Sequence, residues 1–475
     1  MSSSGPYEIV VGLEVHCELR TATKLFCACR NAFGDEPNTN VCPVCLGLPG
    51  SLPVLNAKAV EYAMRIGEAL NCEVRRSIFH RKNYFYPDMP KDYQVSQYDQ
   101  PINVNGWLEL PDGSKVGIER AHMEEDTGSN RHMGGDGRIH NADYSLIDYN
   151  RAGVPLVEIV SRPDIRSADQ ARGYVSELRS ILVATGASDG KMEEGSLRVD
   201  ANVSVRPAGS DQLGTRCEVK NLNSLRSLGR AVDHEAARQW ELLQAGERVV
   251  QETRHWNEGQ GRTISGRSKE EAYDYRYFPE PDLVPVDPDE AWRAEVRRAL
   301  PMLPAARRER LATAASLAPA AVATVVELDL DTLVLAAISA GADGRRAVNR
   351  AANEVAADID AARRLDPAAF TKLLLMEDAG KLTPTQAKQV LGELLAGGGD
   401  PEELAAARGF EAMDSADLAK EVDSLIAANP AEWERFRGGD PKVAGFFVGQ
   451  VMKATRGKAD GAAVTALLRE RAGLS

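Results

Sequence analysis

Glu8-Ile-Val-Val-Gly-Leu-Glu-Val-His-Cys-Glu18 is the stretch that decides the fold. Ile9, Val11, Leu13, Val15, Cys17 and then Leu19 alternate with Glu8, Val10, Gly12, Glu14, His16 and Glu18. A period of two is a strand with one face buried and the other presented. The presented face carries Glu14, His16 and Glu18. Further along, Leu197, Val199, Ala201, Val203 and Val205 alternate with Arg198, Asp200, Asn202, Ser204 and Arg206. A third strand is expected over Thr215–Lys220, and helices over Ala57–Leu70 and Ala168–Thr185. Strands interrupted by helices without a repeating βαβ rhythm predict an α+β fold with much antiparallel sheet.

Away from this core the chain changes character. Every Cys lies at or before Cys217, every His at or before His255 and every Tyr at or before Tyr277. Pro279–Glu290 is proline-rich and acidic, as a linker is. Beyond Trp292 the sequence is rich in Ala, Leu and Arg at helical spacing, with a second break at Gly397-Gly-Gly-Asp-Pro401. Three domains are expected: 1–290 mixed, 291–400 all-helical and 401–475 a small helical tail. The tail should end in a helical hairpin, with Val443, Phe446, Phe447, Gln450, Val451 and Ala454 as the first stripe and Val464, Leu467 and Leu468 as the second.

At 475 residues, 43% hydrophobic and 27% charged, the composition excludes collagen-like, low-complexity and fully disordered classes. The net charge of −13, from 70 acidic and 57 basic residues, excludes a general polyanion sponge. It leaves room for a local basic face, and Arg435, Arg437, Lys442, Lys453, Arg456, Lys458, Arg469 and Arg471 supply one in the tail. Such a patch is either a phosphate-backbone contact or a solvated helical face. The first residues show no secretion-signal pattern and no stretch is long and apolar enough to span a membrane, so a cytoplasmic location is expected.

Cys27-Ala-Cys29 is followed after twelve residues by Cys42-Pro-Val-Cys45. Two close thiol pairs can converge on one tetrahedral Zn²⁺, and a closed four-sulfur site is structural. A redox dithiol or four unrelated thiols is the other reading. Cys17, Cys72 and Cys217 fall outside the pairs and are expected to be ordinary buried thiols.

Glu14 and His16 on one strand face, Glu124 and Glu125 in His122-Met-Glu-Glu-Asp126, and Glu218 beside Lys220 are candidate ligands of a hard cation. Each taken alone is equally a solvated strand, turn or ion pair. Arg81, Lys82 and Lys91 interleave with Tyr84, Phe85 and Tyr86, so cations could hold phosphates and rings could stack on a base. No Walker-type loop, no G-x-G-x-x-G after a strand and no G-x-S-x-G elbow is present.

Together these segments resemble the GatB/GatE family, which contains the B subunits of the tRNA-dependent amidotransferase acting on Glu-tRNA(Gln) and Asp-tRNA(Asn). The resemblance rests on Glu8–His16, Arg81–Asp88, His122–Asp126, Asp148–Val160, Lys191–Arg198, Glu218–Asn223, Asp274–Asp282 and Gly445–Asp460, and covers nearly the whole chain. It implies a cradle domain, a helical domain and a YqeY-like tail. It also implies a reaction: ATP and Mg²⁺ are used to phosphorylate the side-chain carboxylate of tRNA-bound Glu or Asp, and ammonia from an amidase A subunit displaces phosphate. A small C subunit holds A and B together in a heterotrimer.

Carried over to this sequence, the resemblance makes Glu14, His16, Glu124, Glu125 and Glu218 the catalytic Mg²⁺ ligands, and Arg81, Lys82 and Lys91 contacts to ATP or substrate. Arg198, Asp200 and Asn202 become further candidates for the pocket, with Asn221 and Asn223 orienting groups near Glu218. Some members carry four cysteines and bind zinc, and this chain has the full set. Lys453, Arg456 and Lys458 are implied tRNA contacts. Three alternatives stand beside this reading. They are a non-catalytic zinc-containing tRNA-binding scaffold of the same complex, the archaeal GatE type with a synthetase-like insertion, and a metal-dependent RNA hydrolase.

Overall fold

A computed structural model describes residues 7–134, 142–266, 275–410, 415–438, 442–455, 459 and 461–473. Two compact units divide the chain, 1–305 and 306–475. In the first, the strands in chain order are β1 (Tyr7–Glu18), β2 (Glu73–Val74), β3 (Phe79–Asn83), β4 (Tyr93–Gln97), β5 (Asn103–Glu109), β6 (Lys115–Glu125), β7 (Ser129–Met133), β8 (Tyr144–Asp148), β9 (Pro155–Ser161), β10 (Leu197–Pro207), β11 (Cys217–Lys220), β12 (Thr253–Asn257), β13 (Arg262–Ser265) and β14 (Phe278–Pro279). The helices are α1 (Ala57–Ala69), α2 (Ala168–Ala184), α3 (Leu225–Gln244) and α4 (Glu290–Arg298). The architecture is α+β.

Among the described residues one large sheet runs β13-β12-β11-β10-β1-β9-β6-β4-β3-β14, with β5 on β6 and β2 on β5. Its pairings are antiparallel except β11 with β12, and β7–β8 form a separate hairpin. The alternation of β1 is realised: Val11, Leu13, Val15 and Cys17 are buried with Leu197–Val205 of β10, Val157 and Ile159 of β9, and Ala121 and Met123 of β6. The apolar stripes of α1, α2 and α3 close this face. Asn56, Ser167 and Ser224 cap the three helices by accepting backbone N–H bonds. The opposite face of β1, β10, β9 and β6 carries the polar residues, with Val10 and Leu156 buried among them, and parity puts them there.

Helix and sheet approach closely at Gly67 of α1. A Cβ there would lie 2.0 Å from Asn103 Oδ1. Asn103 cannot yield, because it is fully buried and donates from Nδ2 to Ala63 O at 2.9 Å and Ala121 O at 3.0 Å. Gly67→Ala is therefore expected to destabilise the first unit by about 1–3 kcal/mol through overpacking, despite alanine's better helix propensity. Thermal denaturation against wild type measures it; an unchanged melting temperature would mean that α1 can shift.

Trp292 and Val296 of α4 pack into the core of the first unit. From residue 306 on the elements among the described residues are helices, with one apolar core spanning Leu311–Ala405 and another spanning Leu418–Leu468. A bidentate ion pair lies inside the first of these: Arg350 donates to Glu377 at 2.8 and 3.1 Å, both residues buried, and also to Pro384 O at 2.7 Å. The terminal hairpin comprises helices Lys442–Ala454 and Gly461–Ala472. Its first stripe is rotated from the expected one. Val443, Phe447 and Val451 are buried with Ala444, Val448 and Met452 beside them, while Phe446, Gln450 and Ala454 face outward. Val448 and Met452 offer more apolar surface than Gln450 and Ala454, which sets the rotation. Among the described residues no helix is long and apolar enough to cross a membrane.

Candidate active site

Strand register writes the site across the polar face of the sheet. His16 of β1 stands opposite Glu158 of β9, and Glu158 stands opposite His122 of β6. On the other side His16 faces Arg198, Glu14 faces Asp200, and Asn202 of β10 faces Glu218 of β11. Imidazoles and carboxylates thus converge. His16 Nε2 is 3.6 Å from Glu124 Oε1 and 3.6 Å from Glu158 Oε2, and His122 Nε2 is 3.4 Å from Glu158 Oε2 and 3.9 Å from Glu124 Oε2. One donor atom each from His16, Glu124 and Glu158 fits within 4.8 Å, close enough for a single cation.

The electrostatics are those of a crowded, water-poor row. Burial depresses the His16 imidazole, but the hydrogen bond and charge of Glu158, with Glu124, overcome it and lift it to about 9. His122 goes the other way, to about 4, because burial is joined by the repulsion of Arg120, His16 and Lys82. Glu124 is raised by burial and the charge of Glu158, and Glu14 likewise. At the end of the row Glu18 rises to about 8 through burial and Asp126. Asp126 itself is held low against burial by Arg198 at 2.8 Å and Arg151 at 3.5 Å.

A cation that binds this row must displace the His16 proton. With His16 at about 9, titration of Mg²⁺ or Mn²⁺ near neutral pH is expected to release about one proton per ion. Affinity should climb with pH and level off above about 9. Calorimetry in buffers of different ionisation enthalpy reads this directly. A pH-independent affinity would put the ion elsewhere.

His16 and Glu124 of this row line a cleft of about 780 Å³, together with Lys82, Asp126, Arg198, Asp200 and Lys220. Asn221 and Asn223 line it too. Asn221 adopts φ 69° and donates to Trp256 O at 3.0 Å, while Asn223 donates to Asn221 Oδ1 at 3.3 Å. Glu14 and Glu218 sit on the same face but apart from the His16 cluster. Asn202 donates to Glu14 at 2.9 Å. Lys220 bridges Glu218 at 2.9 Å and Asp200 at 2.8 Å, and Thr253 donates to Glu218 at 2.8 Å.

Alternation separates the remaining candidates. Glu125 follows Glu124 on β6 and therefore points to the other face, where Lys91 Nζ at 2.5 Å and the Val95 N–H at 2.8 Å occupy Oε1. Arg81 points the same way and forms a fork on Glu280 at 2.7 and 2.8 Å, reaching Asp282 at 3.3 Å. Lys82, its neighbour, returns to the cleft with its ammonium 4.8 Å over the Tyr275 ring. Of the three cationic candidates, only Lys82 is placed beside the acid row.

Glu158 is a candidate that the sequence reading passed over, and Asp126 is another. A lone acid in the apolar run Pro155-Leu-Val-Glu-Ile-Val160 was the available signal. A charge in a central strand needs a partner, and here it has two imidazoles.

The four cysteines form a second centre. Cys27, Cys29, Cys42 and Cys45 bring their sulfurs within 4.8 Å of one another, and Cys42 Sγ and Cys45 Sγ are 3.9 Å apart. Zn–S bonds of about 2.3 Å in a tetrahedron require about 3.8 Å between sulfurs, so the set fits Zn²⁺. Cys45 is poised as a thiolate at about 5: the Cys27 thiol donates to it, outweighing burial, and the Cys42 N–H and the Lys24 ammonium add to this. Cys17, Cys72 and Cys217 are free, buried and outside this cluster.

Residues 9–294 match the GatB/GatE catalytic domain family, and residues 332–471 match the GatB domain family of YqeY type. Among curated relatives, the B subunit of aspartyl/glutamyl-tRNA(Asn/Gln) amidotransferase from Thermobifida fusca is 50% identical, covering 99% of this chain and 95% of that protein. The protein of the same name from Frankia casuarinae is 51% identical over 99% and 96% of the two chains. That from Carboxydothermus hydrogenoformans is 48% identical over 98% of each. With both family matches and this identity along its whole length, the chain belongs to the GatB/GatE family of amidotransferase B subunits.

Proposed function

We propose that the chain activates the side-chain carboxylate of glutamate or aspartate esterified to tRNA and then amidates it. The substrates are Glu-tRNA(Gln), Asp-tRNA(Asn) or both. A carboxylate oxygen attacks the γ-phosphorus of ATP and ADP leaves, giving an acyl phosphate. Ammonia then attacks the acyl carbon, inorganic phosphate departs with the C–O bonding pair, and the surplus proton goes to solvent. The observation that carries this reading is the His16–Glu124–Glu158 cluster, two of whose members, His16 and Glu124, line a cleft with Lys82, Arg198 and Lys220. The names of the relatives give the substrate class.

His16, Glu124 and Glu158 would hold Mg²⁺, which when bound would supply neutralisation of charge on the phosphates. Lys82 and Lys220 bind phosphate oxygens, and Arg198 holds Asp126 in place at 2.8 Å. The nucleophile is already ionised at neutral pH, so no strong general base is required. Glu14 and Glu218, on the same face of the sheet, would be the candidates to hold a second ion. The four cysteines hold a structural Zn²⁺. Ammonia comes from an amidase A subunit, with a small C subunit completing a cytoplasmic heterotrimer. In this reading residues 1–290 carry the chemistry, 291–400 form a helical domain, and 401–475 touch tRNA through Lys453; Arg456 and Lys458 lie outside the described residues.

The test uses the chain assembled with its A and C partners. Labelled ATP and Mg²⁺ are given with Glu-tRNA(Gln), with uncharged tRNA or with no tRNA, in the presence or absence of ammonia. ATP cleavage that requires aminoacylated tRNA, followed by Gln-tRNA formation once ammonia is added, is expected. Binding of tRNA without such cleavage would leave a scaffold.

A further inference from the structure

Strand β4 ends beside the acid row. Ser96 stands opposite Glu124 and donates to Glu124 Oε2 at 3.3 Å. Just past the strand's end, Tyr98 meets His80, the register partner of Ser96. There the Tyr98 ring lies flat on Tyr277, with centroids 4.2 Å apart and planes 9° apart. Tyr277 meets Tyr275 edge-on at 6.1 Å, and Tyr275 carries the Lys82 ammonium at 4.8 Å. Buried His80 braces Tyr98 from the side at 6.1 Å, 78° from its plane, and is anchored to Asp99 at 3.3 Å. A continuous run of rings thus leads from Lys82 and Tyr275 in the cleft outward to Tyr98.

The last ring of that run is not sealed. Tyr98 is 56% exposed although one of its faces is covered by Tyr277, so the exposure lies on the opposite face and its edge. Rigid support on one side and open π surface on the other suit a planar heterocycle, which stacks on aromatic rings with little regard to base identity. A nucleotide whose phosphates lie near Lys82 carries its base a ribose and the phosphate chain away, within reach of these rings.

We propose that Tyr98, backed by Tyr277 and braced by His80, is a stacking shelf for an adenine ring outward of the catalytic cleft. This rests on the function proposed above, in which two reactants carry adenine: ATP and the 3′-terminal nucleoside of the aminoacyl-tRNA. The chemistry recognised is the same for both, and the experiment separates them.

Tyr98→Leu and Tyr98→Phe are compared with wild type in the assembled complex. The leucine variant is expected to raise KM about tenfold or more for whichever reactant stacks, with kcat at saturation within about twofold, and phenylalanine is expected to restore wild-type behaviour because the ring, not the hydroxyl, does the stacking. A rise for ATP alone assigns the shelf to its base; a rise for aminoacyl-tRNA alone assigns it to the terminal adenine. Equilibrium binding of ATP, of inorganic triphosphate and of aminoacyl-tRNA is measured in parallel. Unchanged KM and binding for both reactants in the leucine variant overturns the shelf, as does an equal loss for ATP and inorganic triphosphate with aminoacyl-tRNA unaffected. If wild type cleaves no ATP with aminoacyl-tRNA, the proposed reaction fails, while the binding measurements still decide the shelf.

Discussion

Glu158→Gln is expected to reduce aminoacyl-tRNA-dependent ATP cleavage by roughly 100-fold or more while leaving the complex assembled. Losing a group that merely orients a metal ligand already costs roughly 10–100-fold, and Glu158 is placed to be a ligand itself. The carboxylate does two things at once. It offers one of three donors within 4.8 Å of one another, and its Oε2 lies 3.6 Å from His16 and 3.4 Å from His122. The isosteric amide keeps the volume and one acceptor, so the sheet should persist. It loses the negative charge that draws a cation into the row and that lifts His16 to about 9. Two readouts separate a site effect from a folding effect: a higher Mg²⁺ concentration for half-maximal activity, and proton release on metal binding shifted to lower pH. Wild-type turnover in the variant would remove Glu158 from the reaction. Glu125→Gln is the informative contrast. Its partners are Lys91 and the Val95 N–H on the far face, so metal affinity should stay near wild type while the Lys91 pairing is lost.

The fold was legible where one residue's environment depends only on strand parity. The buried face of β1, the buried face of β10 and the helices over 57–69 and 168–184 follow from spacing, and they appear where spacing puts them. The partners of the presented face were not legible, because register between strands about 140 residues apart is not a local property. His16 and Glu158 illustrate this: nothing near either residue announces the other, yet the β1–β9 pairing sets them face to face. The same parity that correctly grouped Glu14, His16 and Glu18 separates Glu124 from Glu125 and Lys82 from Arg81. A run of like residues in sequence is thus split between the two sides of the sheet. The cysteines are the opposite case. Short loops bring two thiols together within each pair, so spacing alone carries most of the information.

Replacing Cys45 by serine is expected to abolish the metal content of the second centre and to loosen residues 24–54, the second large effect. Wild type should contain about one zinc per chain by elemental analysis, as four sulfurs at tetrahedral spacing require. In small zinc modules the ion contributes on the order of 10 kcal/mol to folding, so its loss should loosen the loops that it joins. This segment, however, is also tied down without the ion. Asn38 N donates to Asp148 at 2.9 Å, Asn40 N to Asn150 at 2.7 Å and Leu25 N to Gly153 at 2.9 Å. Hydrogen exchange should therefore rise in the two cysteine loops first, with the sheet remaining protected. The disturbance reaches β6, the strand that also carries Glu124, through Gly47. It sits at φ +65°, and a Cβ there would come 2.3 Å from Lys91 Cγ, so this turn is packed directly on the lysine that holds Glu125. Activity should fall with zinc loss even though no cysteine touches substrate, and a chelator should reproduce the effect in wild type at neutral pH. Wild-type protein free of metal, in which mild oxidation joins Cys42 to Cys45 with a mass loss of about two hydrogens, would instead identify the cluster as the redox dithiol that its C-x-x-C spacing also permits.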